Sequence, residues 1–240
     1  MSDLSFTWNG VSSDSMGVCV TRLPARFSAA QRVTTQVVTG RDGVLTIDDG
    51  ALNEETMLCE CYLPYEQGVT VAELDAIKKW LRGSGWWTQS DAPGRRFRAR
   101  ITDAISFSAW VPGFSDRLFG ITLYAEPYEY VSPEPDDITV TSSGTRITNP
   151  GTAPSAPKIT IYAHGDFTVS VGACYMEFEG ISGGIIVDSE LLDCLSLNGA
   201  QLLNSHVTLD DFPKLASGAS YVSWTGSVTS VVITPRWRYY

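Results

Sequence analysis

Residues 57–63 read MLCECYL, a segment in which every second side chain is apolar or a cysteine. A β-strand turns successive side chains to opposite faces, so Met57, Cys59, Cys61 and Leu63 share one face. That face carries no charge, which predicts a half-buried strand with both thiols in the core. The segment therefore favours a protein built from β-sheets.

One helix signature follows this strand. Thr70 can cap a helix, and Glu73 lies three residues later at the spacing of a capping box. Apolar residues recur at helical spacing, namely Val71, Leu74, Ile77 and Leu81. Gly83 ends the pattern. The sequence predicts one short amphipathic helix.

Turn residues punctuate the chain on the N-terminal side of the helix. Asn9-Gly10 predicts a tight hairpin turn that leads into the apolar segment around Gly17 to Val20. Gly40-Arg41-Asp42-Gly43 is a structural turn motif between the strands predicted at Arg32 to Val38 and Val44 to Ile47. Both hairpins fit an antiparallel β protein.

A second alternating segment, residues 95–102, follows the tandem tryptophans Trp86 and Trp87. One face holds Phe97, Ala99 and Ile101, and the other holds Arg96, Arg98 and Arg100. In a chain of net charge −10, three aligned arginines indicate cross-strand acidic partners or an acidic neighbouring subunit. They form a candidate subunit-contact stripe on a half-buried hairpin.

A change of composition between residues 127 and 157, where prolines and acidic residues cluster, predicts a domain boundary. We expect a first domain at 1–131, a linker at 132–157 and a second domain at 158–240. Strands of the second domain are predicted at Lys158 to Ala163, Phe167 to Val171, Tyr175 to Glu179, Ile185 to Val187, Tyr221 to Trp224 and Val228 to Thr234. The fold class is mainly β with one short helix, between all-β and α+β.

Composition excludes several functions. A chain of 240 residues with 43% hydrophobic residues can form two modest domains. Its net charge of −10 argues against nucleic-acid binding, because affinity for phosphates comes from clustered Lys and Arg. Without a long apolar run or a signal peptide, we expect cytosolic synthesis and no membrane insertion. Five cysteines, an odd number, indicate reduced thiols.

The sharpest catalytic motif is Gly180-Ile181-Ser182-Gly183-Gly184, which fits the G-x-S-x-G pattern of a nucleophile elbow. Asp188 or Asp193, and then His206, follow in the order of a hydrolase triad. A nucleophile elbow requires a helix next, whereas the β-branched residues 185–187 follow here. A glycine hairpin is the competing interpretation, and a serine hydrolase using Ser182 and His206 remains a lesser alternative.

Metal, cofactor and sugar sites have weaker support. The only histidines are His164 and His206, and Cys59-x-Cys61 has no second cysteine pair at zinc spacing, so we expect no metal and no cofactor. Tyr175 and Trp224 are candidate sugar contacts, because exposed aromatics can stack on sugars. Packing in the core or between sheets is the competing interpretation of both.

Short motifs along the chain, taken in order, resemble the distal tail protein (Dit) family of long-tailed bacteriophages, the siphophage baseplate hub. They are FTWNG (6–10), MGV (16–18), VTGRDG (38–43), KWL (79–81), RFRA (96–99), EPYEY (126–130), NPGT (149–152), APKI (156–159), IVDSE (186–190), SGASYVSWTG (217–226) and ITPRWR (233–238).

The resemblance implies an N-terminal β-sandwich with a helix and a β-hairpin, whose copies close into a ring, and a C-terminal galectin-like β-sandwich. It implies a structural protein without catalysis, forming a homohexameric ring that joins the tail tube to the tail tip or baseplate and anchors host-recognition components.

Expected partners are other copies of the chain, the tail tube protein, the tail-associated hub protein, and receptor-binding or tail-fibre proteins. The expected location is the tail tip of the virion, after assembly in the host cytoplasm. A carbohydrate-binding β-sandwich module at the tail tip is the alternative function. Residues 237–240 either complete the second domain or return to the first.

Overall fold

A computed structural model describes residues 4–64, 69–109 and 116–240 and divides the chain into two compact units. The first unit runs to Glu129 and also holds Tyr240, and the second runs from Tyr130 to Tyr239. Each unit has its own buried apolar core. The predicted fold class, mainly β with one short helix, is confirmed in the described ranges.

The strands up to the boundary are β1 (Phe6–Trp8), β2 (Val11–Ser12), β3 (Cys19–Arg22), β4 (Gln31–Gln36), β5 (Leu45–Leu52), β6 (Glu55–Leu63), β7 (Gly83–Gln89), β8 (Arg95–Ile101) and β9 (Arg117–Val131), and the helix is α1 (Val71–Trp80). The later strands are β10 (Ile138–Val140), β11 (Thr145–Asn149), β12 (Lys158–Val171), β13 (Cys174–Ile181), β14 (Ile185–Asp188), β15 (Asp193–Leu195), β16 (Val207–Leu209), β17 (Gly218–Thr234) and β18 (Arg238–Tyr239).

The main sheet of the first unit has the order β2-β1-β7-β8-β9-β6-β3, and β4 and β5 form a separate two-stranded sheet. The predicted inward face of β6 is buried, with the Sγ atoms of Cys59 and Cys61 3.7 Å apart. The contact between the two thiols, followed by burial, raises the pKa of the Cys59 thiol. All five cysteines lie in the described ranges as free thiols.

Helix α1 begins with the predicted capping box. The Thr70 hydroxyl accepts a hydrogen bond from the Glu73 amide, and the Glu73 carboxylate accepts one from the Thr70 amide at 2.7 Å. Ile77 and Leu81 are buried, whereas Val71 is 74% exposed, so the predicted apolar stripe is wrong at its first position because the first turn extends beyond the core. No helix in the described residues has the length and apolarity to cross a membrane.

Aromatic side chains fill the first core. The Trp87 indole is fully buried and stacks on Phe6, with ring centroids 4.1 Å apart. The rings of Trp8 and Phe97 lie on either side at 6.4 Å. Trp80 of α1 donates from Nε1 to the Trp8 carbonyl oxygen at 3.2 Å, which joins the helix to the sheet.

The Asn9-Gly10 turn joins β1 to β2, a strand shorter and earlier than the one predicted around Gly17 to Val20. The latter segment forms β3, which pairs with β6 at the other side of the sheet. A short 3₁₀ helix at Asp14–Met16 separates β2 from β3 and redirects the chain.

The second unit is built on two long antiparallel strands, β12 and β17. One half of β12 pairs with β14 and the other with β13, while β17 pairs with β11 near its start and with β10 near its end. The partner strands therefore change halfway along both long strands. The sheet is continuous, but each of its two halves has its own neighbouring strands.

Both long strands correct the sequence prediction, which placed two separate strands in each. Glycines permit the continuity: Gly165 has φ +74° and Gly226 has φ +85°, at the irregularity where the pairing register shifts. A Cβ atom at Gly226 would lie 2.8 Å from Cβ of Phe167, so only glycine fits this close approach.

Residues 132–157, expected to form a linker, belong instead to the second unit. Strands β10 and β11 lie within this range, and both pair with β17. The prolines of this range therefore lie between short strands and not in a linker. Near the C-terminal end of the unit, Trp237 is buried in the second core, and Arg238 forms an antiparallel β-bridge with Ala153. Residues 237–239 are therefore grouped with the second unit, whereas Tyr240 is grouped with the first.

Candidate functional site

The predicted arginine stripe lies on the outer side of β8, between β7 and β9. The guanidinium carbons of Arg96 and Arg98 lie 4.1 Å and 4.9 Å from the centre of the Trp86 ring, and that of Arg100 lies 5.0 Å from the centre of the Tyr124 ring. These distances are typical of cation–π contacts. We call these five residues the arginine face.

Acidic side chains border the arginine face, as one of the two sequence interpretations predicts. Arg100 Nη2 lies 2.7 Å from Glu54 Oε1, and Arg98 Nη1 lies 4.0 Å from Glu126 Oε2 on the adjacent strand. All four side chains are between 36% and 51% exposed. Exposed pairs of this kind contribute only about 0–1 kcal/mol to stability. The fold therefore does not need them for most of its stability.

An open cleft of about 350 Å³ lies on the arginine face, lined by Glu54, Ser84, Gly85, Trp86, Arg98, Ala99, Arg100, Tyr124 and Glu126. A hydrogen bond to Asp103 at 3.1 Å raises the pKa of Tyr124. Tryptophan, tyrosine and arginine are the residue types enriched at the centres of protein–protein interfaces. The arrangement is suited to binding a partner.

The sequence predicts the arginines of this face but not the aromatic and acidic side chains that contact them. Trp86 lies opposite Arg98 in the β7–β8 register. Tyr124 and Glu126 project outward from β9, whose inward residues are Phe119, Ile121, Leu123 and Ala125. The sequence of β9 predicts which side chains face inward and which face outward. It does not predict that β9 lies beside β8.

Strands β4 and β5, with the turn between them, form an exposed hairpin that we call the arm. The predicted turn motif lies at its tip, where Gly40 and Gly43 have φ of +84° and +79°. Side chains at both positions would be strained, which explains the two glycines. Arg32 Nε donates to Asp49 Oδ2 at 2.7 Å across the two strands.

The arm exposes apolar side chains on both of its faces. All six residues of β4 are exposed. The exposed apolar residues of the arm are Val33, Val37, Val38, Val44 and Ile47, with Val37 77% exposed. An isolated two-stranded hairpin is marginally stable in water, and its edges can pair with another chain. The arm is therefore the second candidate contact surface of the first unit.

The glycine motif at residues 180–184 does not form a nucleophile elbow, because strand β14 follows it where an elbow requires a helix. Ser182 and His206 do line one cleft of about 360 Å³. His206 Nδ1, however, lies 2.9 Å from the Glu179 carbonyl oxygen, which occupies the position of a triad acid.

The two candidate acids of that triad are bonded elsewhere. Asp193 Oδ1 accepts from Asn204 Nδ2 at 3.0 Å. Asp188 forms a bidentate ion pair with Arg236, with its two carboxylate oxygens 2.7 Å from Nη1 and 2.9 Å from Nη2. The candidate triad residues therefore do not meet. Ser182 and His206 line a cleft, whereas Asp188 belongs to a structural ion pair.

Asp188 and Arg236 belong to a larger ion-pair cluster near the C-terminal end of the second unit. Glu190 lies 3.4 Å from Arg236 Nη1 and 2.8 Å from Arg238 Nη2. Burial alone would raise the pKa of Asp188, but the hydrogen bonds and charge of Arg236, with the amides of Glu190 and Leu191, lower it overall. The cluster fixes the last strand residues to the loop after β14.

The lowered pKa of Asp188 predicts a contribution to stability that acid removes. The contribution is full above the unfolded-state value of about 3.9 and is lost as pH falls through the lower value of the folded state. We expect Asp188→Asn to reduce the free energy of unfolding by roughly 2 kcal/mol at pH 7, and the difference to vanish in strong acid. Urea unfolding of both proteins between pH 7 and pH 2 measures this.

Asp211→Asn is the matched control for this prediction. The hydrogen bond from exposed Lys214 lowers the pKa of Asp211, but both side chains are well exposed. The control should change the unfolding curve little at any pH. A difference for Asp188→Asn that stays constant down to pH 2 would contradict the assignment.

The structure also places the candidate sugar contact Trp224. Trp224 is partly buried and packs against the core of the second unit, so its indole is a poor platform for a sugar. In the described residues, no group of three or more His, Cys, Asp or Glu side chains could hold a metal ion.

No protein-family model matches the sequence, and a search of curated proteins gives no match. The fold nevertheless has a counterpart among solved structures. The crystal structure of the Dit protein (gp 19.1) of phage SPP1, described as a paradigm of the hub adsorption apparatus in phages that infect Gram-positive bacteria, has a similar fold. The TM-score is 0.72 at 16% sequence identity, over 96% of this chain and 98% of that chain. The resemblance found in the sequence is confirmed as a likeness of fold.

Proposed function

We propose that this chain is a structural subunit of a phage tail tip, which joins the tail tube to the tip or baseplate and anchors host-recognition components. The observation that carries the proposal is the fold likeness to SPP1 Dit over 96% of the chain. Coverage of both units matters, because a likeness limited to one β unit would fit many unrelated functions.

Copies of the chain associate as a ring, most simply a homohexamer, in this proposal. The arm supports self-association, since its two faces expose valines and an isoleucine, and within the described ranges β4 and β5 form a sheet of two strands. A contact between two different surfaces of identical chains closes into a ring when the rotation permits it. The arginine face is the proposed receiving or partner-binding surface on the same unit.

The further partners follow the same proposal. They are the tail tube protein, the tail-associated hub protein, and receptor-binding or tail-fibre proteins, with the galectin-like second unit at the periphery. The location is the tail tip of the virion, after assembly in the host cytoplasm. The acidic chain, with net charge −10, is suited to protein partners rather than to phosphate backbones.

The proposed role involves no catalysis. Its support is the geometry around Ser182, where a strand replaces the required helix and a carbonyl oxygen replaces the acid beside His206. The most prominent surface of the first unit combines arginines and aromatics, which suit recognition.

Charge placed on the arm should abolish self-association without unfolding the chain. Val33→Asp combined with Ile47→Asp puts a carboxylate on each face of the arm, and both positions are already exposed, at 44% and 51%. Native mass spectrometry should detect the ring for the unchanged protein and monomers for the variant.

Leu202→Asp is the control, because Leu202 is 64% exposed but lies in the second unit. It should assemble like the unchanged protein. Rings that persist in the arm variant would contradict the role of the arm, and a protein that never self-associates, alone or in tails, would contradict the proposed ring.

A further inference from the structure

One half of the sheet in the second unit presents a polar outer face with two exposed tyrosines. This half contains the C-terminal part of β12, β13 and the N-terminal part of β17. Its inward residues, such as Val169, Met176 and Val222, are fully buried. Outward positions on the same strands carry hydroxyl groups, and Tyr175 and Tyr221 are 53% and 59% exposed.

Tyr175 has the geometry of a stacking platform. Its hydroxyl donates to Glu177 Oε1 at 3.0 Å, two residues further along the same strand. The bond draws the ring toward Glu177, and 53% of the residue stays exposed. It favours one orientation of the ring before any ligand arrives, which reduces the side-chain entropy lost on binding.

Tyr221 is a second aromatic group at a defined separation. Ser170 of β12 lies opposite Tyr175 on one side and opposite Ser223 on the other. Tyr221 is two residues from Ser223, so strand geometry places the two tyrosine Cα atoms about 12 Å apart. Arg146 on β11 lies beside Tyr221 in the register.

Two rows of hydroxyl groups lie on the same face, one between the two tyrosines and one beside Glu177, on the far side of Tyr175 from Tyr221. Ser170 and Ser223 share one row across the strands. Thr168 and Thr225 form the next row, with their Oγ1 atoms 2.7 Å apart. Paired strands hold these groups at fixed spacing, and each hydroxyl can both donate and accept hydrogen bonds.

We propose that this face, which we call the tyrosine face, binds a neutral oligosaccharide. The C–H faces of sugar rings stack on aromatic rings, and sugar hydroxyls bond to Ser and Thr hydroxyls and to a carboxylate. A Cα separation of about 12 Å suits a ligand of more than one sugar unit. On the described strands of this surface, two carboxylates, Glu177 and Glu179, face the single cation Arg146, and the net negative charge of the surface opposes an anionic polymer.

The inference is independent of the proposed ring, because it concerns the isolated chain. Of the two sugar contacts that the sequence suggests, it keeps exposed Tyr175, and it replaces Trp224, which packs against the core, with Tyr221.

Isothermal titration calorimetry with maltoheptaose, cellohexaose and chitohexaose, each beside its disaccharide, tests the proposal. At least one hexamer or heptamer should bind the unchanged protein, and its disaccharide should bind more weakly. Tyr175→Ala and Tyr221→Ala should each weaken binding roughly tenfold or more, as expected for a central aromatic contact. Tyr175→Phe keeps the ring but loses the bond to Glu177, so its loss should be smaller.

Tyr162→Ala is the matched control. Tyr162 is 40% exposed on the other half of β12, opposite Ser230, and its removal should leave the affinity unchanged. Failure of all three oligosaccharides at millimolar concentration would overturn the proposal. So would equal binding by Tyr175→Ala, or binding of polygalacturonate as strong as that of the neutral chains. Melting temperatures of all variants establish that they are folded.

Discussion

Arg236→Ala should reduce the free energy of unfolding of the second unit by about 3–5 kcal/mol. The two side chains of the Asp188–Arg236 pair are only 5% and 17% exposed. Removing the guanidinium leaves Asp188 as a buried carboxylate without its cation, next to the partly buried Glu190, which keeps its ion pair with Arg238. An unpaired buried charge costs far more than a lost surface contact, which sets the size of the expected effect.

Urea unfolding followed by circular dichroism measures the loss, and Lys214→Ala is its control. Lys214 also forms an ion pair, with Asp211 at 2.9 Å, but the two side chains are 61% and 68% exposed. That control should change stability by roughly 0.5 kcal/mol or less. Losses of similar size in the two variants would contradict the structural role of the C-terminal cluster.

Trp87→Ala should destabilise the first unit by about 3–5 kcal/mol. The indole is fully buried between Phe6 and Phe97, and its Nε1 donates to Gln89 Oε1 at 3.2 Å. Truncation leaves a large cavity, because rings on several strands pack against the same side chain. The loss is visible as a lower midpoint in thermal unfolding followed by circular dichroism.

The adjacent tryptophan provides the control for this cavity. Trp86 points to the opposite side of β7, where it contacts the guanidinium groups of Arg96 and Arg98. Trp86→Ala should cost only about 1 kcal/mol, the size of exposed cation–π contacts. A larger loss for Trp86→Ala than for Trp87→Ala would reverse the assignment of the inner and outer faces of β7.

Local patterns predict those parts of the fold whose stabilising contacts are close in sequence. The alternation of residues 57–63 and 95–101 defines β6 and β8, and the Thr70–Glu73 box defines the start of α1. Long-range pairing escapes such patterns. Strands β10 and β11 exist because β17, far along the chain, pairs with both of them, and prolines nearby make their segment resemble a linker.

The candidate surfaces follow the same division. The spacing of the arginines alone predicts the stripe. Trp86, Tyr124 and Glu126 lie beside it only because β7, β8 and β9 pair in this order. Tyr175 and Tyr221 are separated by more than forty residues, and only their common neighbour β12 brings them to one face. The hydrolase motif fails for the converse reason, since its order in sequence does not bring the acid to His206.

Cryo-electron microscopy of purified virion tails that carry this chain tests the central claim most directly. The proposed function predicts a closed ring of copies, six in number, between the tail tube and the tip, with the first units forming the ring and the arm of each in contact with a neighbour. Tails in which the chain is absent, or in which it is present as an isolated copy away from the junction of tube and tip, would contradict the account.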